Sequence, residues 1–509
     1  MLLIFSGIMD VNLFSKRMVK GAIIVFFGML LSKALAYLYV ALLARLGSSE
    51  YGLLSLAISI VSFISIFSLL GLSTGVIRYI SYYKGKRDDR RIKGTIISSL
   101  KLSLPVSLVL MILLFLYSEK ISILIFHNSE LIPILRLFSL TLPFMSLSDI
   151  FLGVIIGFQK INYKVLVKEI IESVIRLVFT FIVIYLGYNL LGVAVVYLIS
   201  FVITSFLSFY LLQKRVFPFF KTKVIPILFT KELFVFSFPF IFAGVLTLIV
   251  KWTDVFMIGF FRTTSEVGVY NVALPTANLL VIVPTSLMAL FMPIITEFYS
   301  KGKIKDIKTL SRINSKWIFF LNFPIFLLIF LFSKNILEIM FGSEYVTGNT
   351  ALLILTVGYM VFSLVHIPNA ILIMMKKTRL IFYISLISAG VNVVLNYYLI
   401  PKFGIVGGSI ATSFSLVLIF ILTFRSCYKL TKMQPLRLSY FKSIASGIVS
   451  LLIIYFIIQL IGSVSFILFI LLSIAFLVIY SVLVYLLKGL DKEDKEIMRS
   501  FYIKFKKSF

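Results

Sequence analysis

Apolar runs bounded by charged or turn-forming residues recur along the whole chain, at 20–44, 52–80, 95–117, 131–158, 165–186, 190–212, 233–258, 268–296, 313–332, 350–375, 380–400, 406–425, 443–462 and 465–487. Each exceeds the roughly 18 residues that mark a candidate membrane-crossing helix. The pattern predicts an all-α polytopic membrane protein with about 14 transmembrane helices.

The polar stretches between these runs are not alike. Lys16–Lys20, Lys84–Lys93, Lys160–Lys168, Lys214–Lys231, Lys301–Lys316, Lys376–Arg379, Arg425–Lys442 and Lys488–Lys507 hold 38 of the 49 basic residues, whereas the alternate loops hold only Arg45, Lys120, Arg262, Lys334 and Lys402. Cytoplasmic loops accumulate Lys and Arg, so both termini are expected in the cytoplasm and the protein in the cytoplasmic membrane, multi-pass. The opening MLLIFSGIMD is shorter than a signal-peptide core with its basic flank, and no cleaved leader is expected.

Composition agrees with this pattern. The 509 residues are 61% hydrophobic and 14% charged, against about 45–50% and about 25% for a soluble protein, which excludes a water-soluble enzyme. The net charge of +29 would suggest nucleic acid in a soluble chain. In a membrane chain it reports topology and suits an anionic cytoplasmic leaflet, so no nucleic-acid partner is expected. One cysteine, Cys427, cannot make a disulfide framework, and two histidines, His127 and His366, are too few for a His-rich metal site. No cofactor or metal is expected.

The chain also repeats itself. Ser49–Ala57 aligns without a gap on Ser265–Ala273, Lys84-Gly85-Lys86 on Lys301-Gly302-Lys303, SEKISILIF at 118–126 on SKNILEIMF at 333–341, and Leu191–Ala194 on Val406–Ser409. The offset stays within a residue or two of 216. Each copy holds six predicted helices, an even number, so the two copies enter the membrane from the same side. The expected organisation is two parallel, pseudo-symmetric six-helix lobes, 19–215 and 216–430, followed by an extra helix pair over 431–487 and a basic cytoplasmic tail over 488–509. Such a plan belongs to transporters that handle cargo between their halves.

Particular residues go further. Lys20-Gly21, Ala44–Gly52 and Gly71–Ser81 in the first copy resemble the polysaccharide biosynthesis and export family, as do Ser237-Phe238-Pro239, Thr253-Asp254 and Glu266–Pro275 in the second. That family contains O-antigen-type oligosaccharide flippases of the multidrug, oligosaccharidyl-lipid and polysaccharide exporter superfamily. The resemblance implies a flippase, not an enzyme. Its cargo would be a polyprenyl-(pyro)phosphate-linked oligosaccharide carried from inner to outer leaflet by alternating access. Its partners would be the lipid bilayer, the lipid-linked oligosaccharide, and the glycosyltransferases and polymerase of the same pathway. A multidrug cation antiporter or a lipid II flippase of the same superfamily is the alternative, and a membrane-embedded glycosyltransferase or polymerase a more distant one.

Ionisable residues inside apolar helices cost roughly 2.5–3.5 kcal/mol each and need a reason. Lys33 lies 13 residues past Lys20, about 20 Å along a helix. Lys251 precedes Arg262 by 11 residues as Lys33 precedes Arg45 by 12, so the two lysines are near-equivalents in the two copies. Facing one aqueous cavity, they would attract phosphate as point charges, with Arg78 meeting the head group at its mouth. Lys251 and Asp254 share a helix face, so mutual neutralisation stays open. Asp254, Asp149, Glu172, Arg176 and His366 are candidates for ion coupling or for a buried charge network. Asn392 and Asn396 are expected to bond a neighbouring helix, and Pro275, Pro284 and Pro293 to bend their helix. No GxxxxGKS or HExxH occurs, so ATP bound by this chain is not an expected energy source.

Overall fold

The computed structural model describes residues 31–220, 223–432, 439–462 and 465–487. The start of the first predicted helix, the Lys16–Lys20 segment, the Lys20-Gly21 motif and the 488–509 tail lie outside the described residues. Among the described residues, nineteen α-helices of eight or more residues carry the fold. In chain order they are α1 Leu31–Ala44, α2 Ser48–Leu69, α3 Leu72–Gly85, α4 Asp89–Lys120, α5 Leu131–Ser139, α6 Thr141–Gly157, α7 Glu172–Tyr185, α8 Leu190–Leu211, α9 Thr230–Ser237 and α10 Pro239–Phe261. They continue as α11 Thr264–Asn278, α12 Ile282–Ser300, α13 Ile304–Leu331, α14 Ser333–Met340, α15 Asn349–Ser363, α16 His366–Met374, α17 Thr378–Thr431, α18 Ser439–Ile461 and α19 Phe466–Leu486.

Among the described residues, ten helical stretches are long and apolar enough to cross a membrane, and Thr230–Leu246 with Lys251–Phe261 makes an eleventh if that bent pair counts as one span. The protein is an all-helical, multi-pass membrane protein. Two predicted segments, 380–400 and 406–425, merge into the single element α17, which kinks at Gly404 with φ 54° and ψ −134°. That conformation is open to glycine and strained for other residues.

The chain packs as two compact units. One holds 31–272 and 393–408. Its centre is α6, where Phe151, Leu152, Val154 and Ile155 pack with Val76, Ile80, Ile96 and Val167. Small hydroxylated residues let the helices approach closely, as membrane interiors favour: the Ser103 hydroxyl donates to the Ser68 carbonyl at 2.9 Å, and the Ser68 and Ser146 hydroxyls pair. The N-terminus of α4 is capped by Asp88, which accepts from the Arg91 amide at 3.0 Å and so satisfies one of the helix's free donors.

The other unit holds 273–392 and the described residues from 409 on. Leu287, Phe291 and Ile295 of α12 pack there against Ile307 and Ile318 of α13 and Ile367 and Ile371 of α16. Proline shapes these helices. Pro284 has no N–H for the Leu280 carbonyl, and that buried oxygen accepts from Asn322 Nδ2 at 2.8 Å instead. Pro324 frees the Phe320 carbonyl in the same way, and the Tyr480 hydroxyl of α19 donates to it at 3.2 Å. Pro275 frees the Asn271 carbonyl, which accepts from Tyr51. In an apolar medium a freed carbonyl needs such a donor.

Candidate functional site

The predicted charged positions fall into distinct groups. Lys33 on α1 and Lys251 on α10 are both exposed, and the structure brings them within electrostatic reach of each other, with Lys33 the charge that acts on Lys251. The Lys251 ammonium lies 4.8 Å from the Trp252 ring centroid. The Trp252 Nε1 is buried and has no hydrogen-bond partner. Two like charges thus lie near a buried indole donor that has no hydrogen-bond partner.

The neutralising pair between Lys251 and Asp254 is not formed. Asp254, only 4% exposed, turns to other partners: it accepts from the Tyr270 hydroxyl of α11 and from Asn396 Nδ2 of α17. Both donors satisfy the carboxylate locally, which leaves the Lys251 charge uncompensated from that side. Asn392 donates to Thr412 Oγ1 at 3.3 Å, across the kink of its own helix. The sequence named both asparagines as interhelical donors but not Tyr270.

Glu172, Arg176 and Asp149 belong to a separate network. Glu172 is 4% exposed and bridges Lys168 at 3.1 Å and Arg176 at 2.7 Å, a ladder of i,i+4 pairs. Lys168 sits in a π-helical turn, Val165–Ile171, that runs into α7. Arg176 donates Nε to Ser200 Oγ at 3.0 Å, and its guanidinium lies 4.2 Å from the Tyr197 ring and 4.8 Å from the Phe201 ring, both on α8. Asp149 on α6 is half-buried and lies within the fields of Lys168, Glu172 and Lys164. Two carboxylates, Asp149 and Glu172, thus lie among three cations, Lys164, Lys168 and Arg176. Lys168 also closes the basic segment Lys160–Lys168 of the sequence, and its side chain stays 28% exposed.

Arg78 ends exposed on α3, its guanidinium 4.1 Å from the Phe236 ring and 5.5 Å from the Tyr79 ring. His366 opens α16, its Nδ1 3.2 Å from the Ser363 carbonyl and its ring edge-on to Phe362. It lies in the unit that holds neither charge group, a packed histidine at a helix start. Among the described residues no group of three or more His, Cys, Asp or Glu side chains could hold a metal ion.

Comparison with known proteins places this membrane fold among transporters. A model of the family described as polysaccharide biosynthesis protein matches residues 18–299, and the MatE family model matches 239–398. The chain belongs to the polysaccharide biosynthesis protein family. It is 31% identical over 166 residues to Agl15 of Haloferax volcanii, named as a low-salt glycan biosynthesis flippase, covering 32% of this chain and 35% of that one. A protein of Shigella flexneri named as an O-antigen transporter is 24% identical over 414 residues, 79% of this chain and 95% of that one. In fold the chain is similar to the lipid II flippase MurJ in an inward closed conformation, with a TM-score of 0.72 at 18% identity over 91% of this chain and 99% of that one.

Proposed function

We propose that this protein is a flippase that carries a polyprenyl-(pyro)phosphate-linked oligosaccharide from the inner to the outer leaflet of the cytoplasmic membrane, for assembly of a surface glycan. Family membership and the names of its relatives support transport of a glycan precursor. The observation that carries the anionic head group is the Lys33–Lys251 pair, two like charges brought within reach of each other by α1 and α10. An anion held between them would offset their mutual repulsion.

In this reading the membrane-crossing count is 14. The ten long stretches and the bent pair make eleven, α17 contributes two, and α1 and the helix through Ile161–Tyr185 complete the set. The two sequence copies form lobes over 19–215 and 216–430, with 431–487 as an appended pair, and both termini are cytoplasmic. The cationic pair binds the phosphate, Arg78 meets it at the cytoplasmic mouth, and the prenyl tail stays in lipid. The Asp149–Lys168–Glu172–Arg176 network and Asp254 with its two donors hold helices in place. The chain performs no chemistry on its cargo; glycosyltransferases and a polymerase act before and after it. A cation antiporter would want an acidic site, which the two lysines oppose.

The test is translocation of a fluorescent lipid-linked oligosaccharide by purified protein in proteoliposomes, with transfer of labelled sugar measured in parallel. Translocation without sugar transfer is expected. Sugar transfer without translocation would overturn the proposal.

A further inference from the structure

The apolar run 131–158 contains one cation, Arg136, which neither charge group above includes. It stands exposed on α5, beside the last turns of α4. Its Nε donates to Ser118 Oγ at 3.2 Å, and its guanidinium lies 5.5 Å from the Phe115 ring centroid. Ser118 is fully buried and gives its own proton to the Phe115 carbonyl at 2.8 Å, so its oxygen is set to accept. Among the described residues no carboxylate forms an ion pair with Arg136. The surroundings are apolar: Leu108, Ile112 and Phe115 of α4, all exposed, stand at i, i+4 and i+7 and form one stripe. On a membrane-crossing helix such a stripe faces acyl chains, and a charge at its end needs a counter-group. The fold itself does not call for that charge. At an offset of 215 or 216 the second copy has Ala351 or Leu352 at this place, and both are fully buried.

We propose that Arg136 is a binding site for a membrane phospholipid: its two terminal nitrogens hold the lipid phosphate, and one acyl chain lies along Phe115, Ile112 and Leu108. The direction fits. Ser118 and Arg136 sit at the end of α4 that carries Lys120, and the stripe leads from there toward the middle of the helix, so the head group is at the surface and the chain points inward. The flippase reading puts this end at the outer face and the lipid in the outer leaflet, and the proposal rests on that reading for the leaflet alone. Arginine suits the task because its planar fork matches two phosphate oxygens and sheds water more readily than an ammonium does. With Nε on Ser118 and one face toward Phe115, the fork is oriented before a lipid arrives, which lowers the ordering cost of binding. The bound lipid then joins the end of α4 to α5 on a flank where α4 is largely exposed.

The test uses the full chain in proteoliposomes and needs no variant for its first arm. Phosphatidylglycerol with a photoactivatable diazirine in its acyl chain should label residues 108–116 of α4 at least fivefold more than digalactosyldiacylglycerol with the same chain, which lacks phosphate. Equal labelling by the two lipids, or none in that segment, would overturn the site. In the second arm Arg136→Gln should lower the phosphatidylglycerol labelling of that segment at least threefold, and Arg136→Lys, which keeps the charge without the fork, should lower it less. Labelling of Arg136→Gln at the wild-type level would overturn the proposal. A third arm separates membrane lipid from cargo. Polyprenyl phosphate at a concentration equal to that of the labelled phospholipid should leave the labelling unchanged; complete displacement would assign the site to the cargo and overturn it as a phospholipid site. None of the arms measures translocation, so failure of the flippase reading and failure of this site are read separately.

Discussion

The Tyr480 hydroxyl of α19 donates to the Phe320 carbonyl of α13, the oxygen that Pro324 deprives of its helical donor. Tyr480 is 2% exposed, so water does not substitute. Tyr480→Phe should therefore cost about 1–3 kcal/mol, the penalty for a buried acceptor left unpaired. The expected result is a lowered Tm of the detergent-solubilised protein. An unchanged Tm would show that the proline bend needs no donor.

Glu172 and Arg176 make the sharper stability prediction. Arg176→Ala leaves Glu172 buried with only Lys168, and losing one partner of a buried ion pair costs about 3–5 kcal/mol. Removing both, as Glu172→Gln with Arg176→Met, leaves Lys168 and Asp149 to balance each other. The double variant should retain more folded protein than Arg176→Ala alone, measured by size-exclusion yield and Tm. The reverse order would contradict the charge-balance account.

At Lys33 the expected loss is functional. Lys33→Ala should reduce translocation in proteoliposomes about tenfold or more, matching the roughly 1.5–3 kcal/mol of a hydrogen bond to a charged group, with protein yield unchanged. Lys251→Ala should act in the same direction. Full activity in both variants would remove the pair from the mechanism.

Gly404 sits at positive φ, and a Cβ there would fall 2.5 Å from Glu266 Oε2 and 3.1 Å from Arg262 Nε. Those two side chains form an ion pair at 3.1 Å. Gly404→Ala should cost about 1–2 kcal/mol from backbone strain alone and displace the pair. Hydrogen exchange in the Arg262–Glu266 loop should rise, and unchanged exchange with unchanged Tm would count against this.

The helical class was legible because a bilayer forces long apolar runs and satisfied backbones, and both leave marks on local sequence. The duplication is what singled out Lys33 and Lys251 in the sequence, two residues off equivalent positions in the two copies. The partners of Asp254 were not legible: Tyr270 lies 16 residues away and Asn396 142. Only packing pairs them, and a nearer lysine on the same helix face looked the better candidate. The bridge from Lys168 to Glu172 was not legible either, because composition alone marks Lys168 only as the end of a basic segment. The donors to the proline-freed carbonyls were equally hidden, although each proline already announced that some donor had to be found.

Where α2 and α11 begin, Ser48 against Ser265, their hydroxyls 2.7 Å apart, with Gly52 against Gly268, is a self-complementary contact of the kind that joins identical subunits across a two-fold axis. In the reading of two duplicated lobes, a gene encoding a single copy would already have owned both sides of it, and tandem fusion would have required no fresh interface at this point. The inheritance carries a lasting constraint, because drift in one half must be answered in the other. Second-site revertants of damage at one glycine are therefore to be sought near its twin.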